Sequence, residues 1–427
     1  MLTTIKDYKI LIIFFTLILI SFIFGFYLNE DSAGGGEADY IDHEWGTIKL
    51  FANNTINIAL QSALYESSRT PLFYILNKFN PFNDNLENLR RFWFIFSFAI
   101  PLLLYKSLKL TKINHLDETC VYVFSFTIFL SPYFRTNSFW PSSENLVIFF
   151  VLSSIYFYIY LKNKDFLKKT DLYLFSILCT FFAYCAFYTD QKAFFLAAIL
   201  YFELIRKNNF SYFFLISSIN LIFFLPAIYL YFAWGGLVPI ESQFRVSKYF
   251  YGTNIFISSI GIYFIIVFFT NFKTIDILKS IKNKWIEIIF VLFFLLYLIF
   301  TLPNEPITFG SGIISKLFGI ITSKLNLNWQ LVKYVYFLVN VIFVLVIYLI
   351  LKKTIKNFII ILSFLIVYNL TSITYQSYVD PVFFVIILTL FDFNKNIVVF
   401  NKKTSYLFLS FYFIMLVSSI IFRSYII

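Results

Sequence analysis

The densest chemistry in the chain lies between residues 29 and 45. There Glu30, Asp31, Glu37, Asp39, Asp42, His43 and Glu44 surround three successive glycines, Gly34, Gly35 and Gly36. Carboxylates can take a proton from a hydroxyl or hold a hard cation. Glycine backbone can adopt positive φ and come close to a ligand. Asp39 and Asp42 stand apart from the other acids because they immediately precede a stretch of helical spacing, where backbone N–H groups orient carboxylates. His43 is one of two histidines, and it reads as a structural group or a substrate contact before a metal ligand. No metal-ligand set is assigned, and a divalent cation is the one cofactor this cluster leaves open. Further on, Glu144 follows Ser143, and Tyr188-Thr189-Asp190-Gln191-Lys192 places an acid, an amide and a cation together. Asp380 closes the polar run from Tyr375, either as a substrate contact or as a cap for the next helix.

These residues need a frame, and the composition dictates its kind. Of 427 residues, 60% are apolar and 13% charged, about half the charge of an ordinary soluble domain. That excludes a soluble enzyme and a disordered chain, and predicts an all-α polytopic membrane protein. Apolar helices are expected at about 9–28, 91–108, 119–134, 144–161, 172–188, 193–206, 211–232, 254–271, 286–302, 330–350, 357–373, 380–393 and 404–422, thirteen in all. The first reads as an anchor, since no small-residue cleavage site comes after it. Cys120, Cys179 and Cys185 lie in or beside apolar runs without a CxxC pair, which argues against disulfides and zinc.

Lysine and arginine orient the spans. With the N-terminus cytoplasmic, alternate short loops collect 21 of the 34 basic residues, and the opposite side holds 14 of the 23 acidic ones. The net charge of +11 is therefore a topology signal, and no nucleic-acid partner is expected. The outer loops are 29–90, 135–143, 189–192, 233–253, 303–329 and 374–379, and they carry the Gly, Pro and Trp punctuation. The chain divides into four units: an anchor over 1–28, an outer loop over 29–90, a core of spans over 91–272, and C-terminal spans over 273–427 with their loop at 303–329. Within the first outer loop, Trp45, Ile48, Ala52, Ile56, Ala59 and Ala63 share one helical face, which predicts a helix lying in the membrane interface. A second is expected from Arg69-Thr70-Pro71-Leu72.

This layout resembles the GT-C superfamily of membrane glycosyltransferases, which use polyprenyl-phosphate-linked sugars. Asp39-Tyr40 followed by Trp45 resembles the Asp-Tyr…Trp motif of the lipid-linked-oligosaccharide glucosyltransferases, and Pro71-Leu72-Phe73-Tyr74 resembles their Pro-Leu-Tyr-Tyr. Pro132-Tyr133 to Ser143-Glu144 is similar to the second outer loop, and Tyr188 to Lys192 falls where relatives carry an Arg-Gln type motif. Trp234-Gly235-Gly236-Leu237-Val238-Pro239 resembles the Gly-Gly segment of dolichyl-phosphate-glucose-dependent members. The likeness spans residues 9–270. The Asp-Glu pair common in protein O-mannosyltransferases is absent around Asp39.

The resemblance implies an inverting transferase that moves a sugar from a polyprenyl-phosphate donor to a glycan, lipid or protein acceptor outside the cytoplasm. Its expected base is Asp39, with Asp42 and Glu144 as alternates or acceptor-orienting groups. The leaving lipid phosphate needs cations, and Lys192, Arg245, Lys248 and Arg135 are the candidates. Sugar and acceptor contacts are expected from His43, Trp45, Arg69, Tyr188, Asp190, Gln191, Trp234 and Asp380. A composition rich in Phe, Ile, Lys and Asn points to an AT-rich bacterial genome, hence to undecaprenyl phosphate in the inner membrane. A lipid-linked glycan flippase and a glycan polymerase or ligase are the rival classes. A flippase would carry charges along the middle of several spans, and a polymerase or ligase would concentrate function in a large late loop.

Overall fold

The computed structural model describes residues 2–111, 116–163, 168–206, 210–246, 252–271, 285–305, 312–351, 355–370, 376–393 and 398–425. Among these the chain is helical, with no β-strand. Each of the thirteen apolar stretches overlaps a helix among the described residues; 371–373 lie outside them, and the stretch expected at 380–393 is helical only over Val382–Thr389. By length and composition, seven helices are suited to crossing a membrane: Leu86–Leu110, Ser143–Asn163, Lys169–Thr189, Phe210–Trp234, Thr253–Asn271, Trp329–Leu351 and Lys402–Arg423. Shorter apolar helices include Leu11–Tyr27, Glu118–Leu130 and Gln376–Thr389.

Three of the boundaries that differ from expectation have a clear local reason. The span expected at 91–108 begins a turn earlier, because the Asn85 side chain accepts from the N–H groups of Glu87 and Asn88 and caps the helix at Leu86. The span expected at 119–134 stops at Leu130. Ser131 is extended there and caps a new helix, Pro132–Phe139, whose first residue has no N–H to continue the old one. The single interfacial helix is two, Trp45–Asn53 and Ile56–Leu60, parted by extended Asn54 and the N-cap Thr55. The Lys78 ammonium seals the break by donating to the carbonyls of Phe51, Ala52 and Asn54 at 2.8, 3.3 and 2.7 Å, a cation at a helix C-terminus.

Loop contacts sort into two sets. One set joins 29–90 to 131–145, 189–192, 233–253 and the end of helix Lys402–Tyr425: Ala33 to Thr136, Gln191 to Ser68, Ser242 to Glu66, and Arg423 to Asp31. The other joins the lysine-bearing connectors: Lys402 to Asp117, Val399 to Asn271, and both Lys162 and Lys356 to Asp392. Every one of these contacts joins segments that the charge alternation assigns to the same side.

The glycine run is held by an acid. The Asp31 carboxylate accepts from the N–H groups of Gly34, Gly35 and Gly36 at 3.1, 2.8 and 3.2 Å. The turn requires φ of 94° at Gly34 and 85° at Gly35, values a Cβ strains. Arg423 pairs with the same carboxylate at 3.0 Å. The triple glycine thus serves a loop-to-helix closure.

Candidate active site

The chain after this turn is helical from Gly36 onward, with a π-helical turn over Asp39–Glu44. Asp39 and Asp42 therefore lie within a helical run, one turn past the start expected for them. A π-turn shifts the register of the residues beyond it. Here Tyr40, Glu44, Ile48 and Phe51 are buried, while Asp39, Asp42 and His43 are exposed. His43 lies 3.1 Å from Glu66 at the surface.

Glu44 points at Arg69, and Arg69 organises the site. Its guanidinium donates to Ser143 Oγ at 2.8 Å, to Asp190 at 3.2 Å, and closely to Glu144; its Nε lies 4.0 Å from Glu44. Three separate segments supply these partners. Glu144 and Ser143 open helix Ser143–Asn163, and Glu144 also accepts from Ser142. Asp190 caps the turn Gln191–Ala193 by accepting from the Lys192 N–H. Tyr65 donates to the Arg69 carbonyl at 2.8 Å and Thr70 to that of Phe187 at 2.7 Å, so the backbone around Arg69 is tied on both sides.

Lys192 completes the cluster. Its ammonium lies 3.6 Å from Asp190 and 3.0 Å from the centre of the Tyr378 ring. Arg69, Glu44, Glu144, Asp190 and Lys192 have side chains only 9–14% exposed, so their mutual attractions are weakly screened. A cleft opens beside them, lined by Glu144, Asp190, Lys192, Ser377 and Tyr378 on its polar part and by Val147, Ile148, Phe195 and Val382 on its apolar part. Burial opposes the charge on Arg69, but Glu144, Asp190 and Glu44 more than offset it and keep it protonated. Burial pushes the Lys192 ammonium down to about 8, against the pull of Asp190. Asp39 is exposed but near enough to feel the charges of Glu144 and Arg69; desolvation by surrounding protein, then repulsion from Glu144, hold its carboxyl above the usual range.

The remaining candidates are elsewhere. Arg135 is 1% exposed, grips Glu30 with two nitrogens, and donates to the Ser21 carbonyl. Trp234 is buried and donates to the Leu60 carbonyl at 3.1 Å. Trp45 is half-buried beneath the Lys49 ammonium. The Tyr188 hydroxyl enters helix Phe210–Trp234 at Pro226, donating to the Phe223 carbonyl at 2.5 Å and accepting from the Ala227 N–H at 3.1 Å. It bridges two groups of a helical turn disturbed by proline. Asp380 caps no helix. It is buried and accepts from Ser131 at 2.6 Å and from Tyr263 and Tyr412, anchoring the turn that carries Tyr378. The Arg245 side chain and Lys248 lie outside the described residues.

Sequence reasoning assigned Arg69, Glu144, Asp190, Gln191 and Lys192 to one face, but gave Glu44 a part only in a candidate cation cluster and Tyr378 none of its own. The signal for Glu44 was its spacing from Tyr40 and Ile48, which puts a carboxylate on an apolar helical face. Among the described residues no group of three His, Cys, Asp or Glu is arranged to hold a metal ion. No protein-family model matches the chain, and no curated protein or solved structure resembles it closely enough to be matched.

Proposed function

We propose that the chain is a polytopic membrane glycosyltransferase that moves a sugar from a polyprenyl-phosphate donor to an acceptor on the outer face. The observation that carries this reading is the cleft, where Arg69, Glu144, Asp190 and Lys192 converge from three loops beside an apolar wall. A donor of this class has the same two parts, a phosphate and a hydrocarbon tail. Lys192 and Arg69 would offset the charge of the leaving phosphate. Asp39, exposed and with its carboxyl raised, suits a general base. The sugar, the acceptor and a GT-C-type arrangement of thirteen spans belong to the same proposal.

The test is turnover of polyprenyl-phosphate sugars by the purified chain in nanodiscs, read as release of polyprenyl phosphate. Lys192→Met should weaken donor binding roughly tenfold to a hundredfold, since a charge-assisted contact is worth about 1.5–3 kcal/mol. Unchanged donor affinity would remove Lys192 from the phosphate site. Topology is checked separately. A cysteine at exposed Glu37 should react with an impermeant maleimide from the outer side of intact cells and not from the cytoplasmic side of inverted vesicles.

A lipid-linked glycan flippase is the second reading. What favours it is polar groups buried between helices Thr253–Asn271 and Trp329–Leu351: Asn254 with Asn340 at 3.1 Å, and Tyr336 with Ser258 and Ser315. Movement of a lipid-linked glycan across proteoliposomes without release of polyprenyl phosphate would select it.

A further inference from the structure

The charges around the cleft do not balance. With every group ionised, Glu44, Glu144 and Asp190 face Arg69 and Lys192, three negative against two positive. Asp39 adds a fourth negative charge close enough to act on Glu44. An anion entering this poorly hydrated setting meets a net negative field that water screens weakly. A phosphate therefore requires a compensating positive charge as it binds.

Glu44 is placed to supply that charge as a proton. Glu144 and Asp190 each hydrogen-bond to the guanidinium, whereas Glu44 stands 4.0 Å from it and gains least from it. Its other oxygen accepts from the Tyr74 hydroxyl at 2.6 Å in a buried pair, a geometry that a protonated carboxyl can keep. The titratable groups facing it are Arg69, Tyr74 from helix Leu72–Lys78, Tyr65 from the preceding turn, Glu144, and Asp39. Burial, above all, pushes its carboxyl up to about 7; Arg69 and Tyr74 hold it down, and Glu144 and Asp39 add to the rise.

We propose that Glu44 takes up a proton when a phosphate group occupies the cleft, so that phosphate affinity falls as pH rises. This coupling rests on the donor reading only for the identity of the ligand. Its sign comes from linkage. A bound anion raises the Glu44 pKa above its free value, so below about pH 7 the proton is already present and affinity is full. Above that, affinity should drop roughly tenfold per pH unit until the bound form also titrates. Lys192 loses its proton near pH 8 and produces a second, separate fall.

The experiment is calorimetry of the full chain in nanodiscs, run with EDTA and again with Mg²⁺, from pH 5.5 to 9, in buffers of different ionisation enthalpy. Undecaprenyl phosphate and inorganic phosphate are the two probes. The expected result, after the ligand's own second ionisation is subtracted, is uptake of up to roughly three-quarters of a proton per ligand at pH 7.5, since about a quarter of Glu44 already carries one there. Glu44→Gln should bind evenly to pH 7.5 and keep only the fall near pH 8. Tyr74→Phe removes a bond that lowers the Glu44 pKa, so its fall should move to higher pH. Flat affinity of the parent between pH 6.5 and 7.5 overturns the coupling, as does an unchanged profile in Glu44→Gln or a requirement for Mg²⁺ without proton uptake. Proton-linked binding of inorganic phosphate alone keeps the coupling and removes the lipid donor. Binding of neither probe at any pH overturns both.

Discussion

Arg69→Met is expected to lower stability by about 3–5 kcal/mol, the usual cost of breaking a buried ion pair by removing one partner. Methionine fills similar volume, so the loss reports charge. Glu144 and Asp190 lose their guanidinium donor, and Glu44 loses its nearest cation. Arg69→Lys keeps the charge but cannot fork towards Ser143, Glu144 and Asp190 together, so it should fall between. Arg91→Met is the control. Arg91 is 64% exposed and pairs with Glu87 on its own helix, an arrangement worth about 0–1 kcal/mol. Thermal unfolding in detergent compares the three. If Arg69→Met unfolds at the same temperature as Arg91→Met, Arg69 does not organise the site.

The second expectation concerns the base. Asp39→Asn keeps size and one acceptor oxygen but removes the group that can take a proton, so turnover should fall by about 10²–10⁴-fold. Donor affinity should hold or rise, because the proposed phosphate site is at Lys192 and loss of a nearby negative charge cannot repel an anion. Asp42→Asn should cost less, since Asp42 is exposed and apart from the Arg69 cluster. Glu144→Gln should also leave a base in place. A base must be deprotonated to act, so the rate is lost as pH falls through the raised Asp39 pKa. Removing the Glu144 charge takes away one cause of that rise, and the acid limb should move to lower pH. Turnover and donor affinity, measured together across pH for all three variants, decide the assignment. Near-parental turnover in Asp39→Asn with a dead Glu144→Gln would move the base to Glu144. Full activity in all three would end the carboxylate mechanism.

The helices were legible because an apolar run of span length has few alternatives, and the alternation of lysines foretold which loops come together. The pairings were not. Arg69 and Arg135 have the same standing in the sequence, each an arginine in or at the edge of an expected outer loop. The fold gives Arg135 its carboxylate partner in Glu30, 105 positions away, and brings Arg69 to Glu144 and Asp190, 75 and 121 positions away. No local pattern encodes those partners. Register failed for a related reason. A π-turn adds a residue to a turn without a reliable composition signal, so Asp39, Asp42 and Glu44 read as one acidic cluster although they separate into an exposed pair and a buried group. Asp380 was ambiguous because capping and tertiary acceptance ask for the same side chain, and three hydroxyls from distant helices decided it.

The clasp between Asp31 and Arg423 joins residues 392 positions apart. At a synthesis rate of about 5–20 residues per second, Asp31 leaves the ribosome roughly 20–80 s before its partner exists. During that interval the glycine turn has its carboxylate but not the arginine that closes over it. The first loop must wait in an unfinished form while a dozen apolar segments are made. Closure of the glycine turn therefore has to wait for helix Lys402–Tyr425, and an intermediate paused before that helix should have its earlier helices in place and residues 31–36 still unclasped.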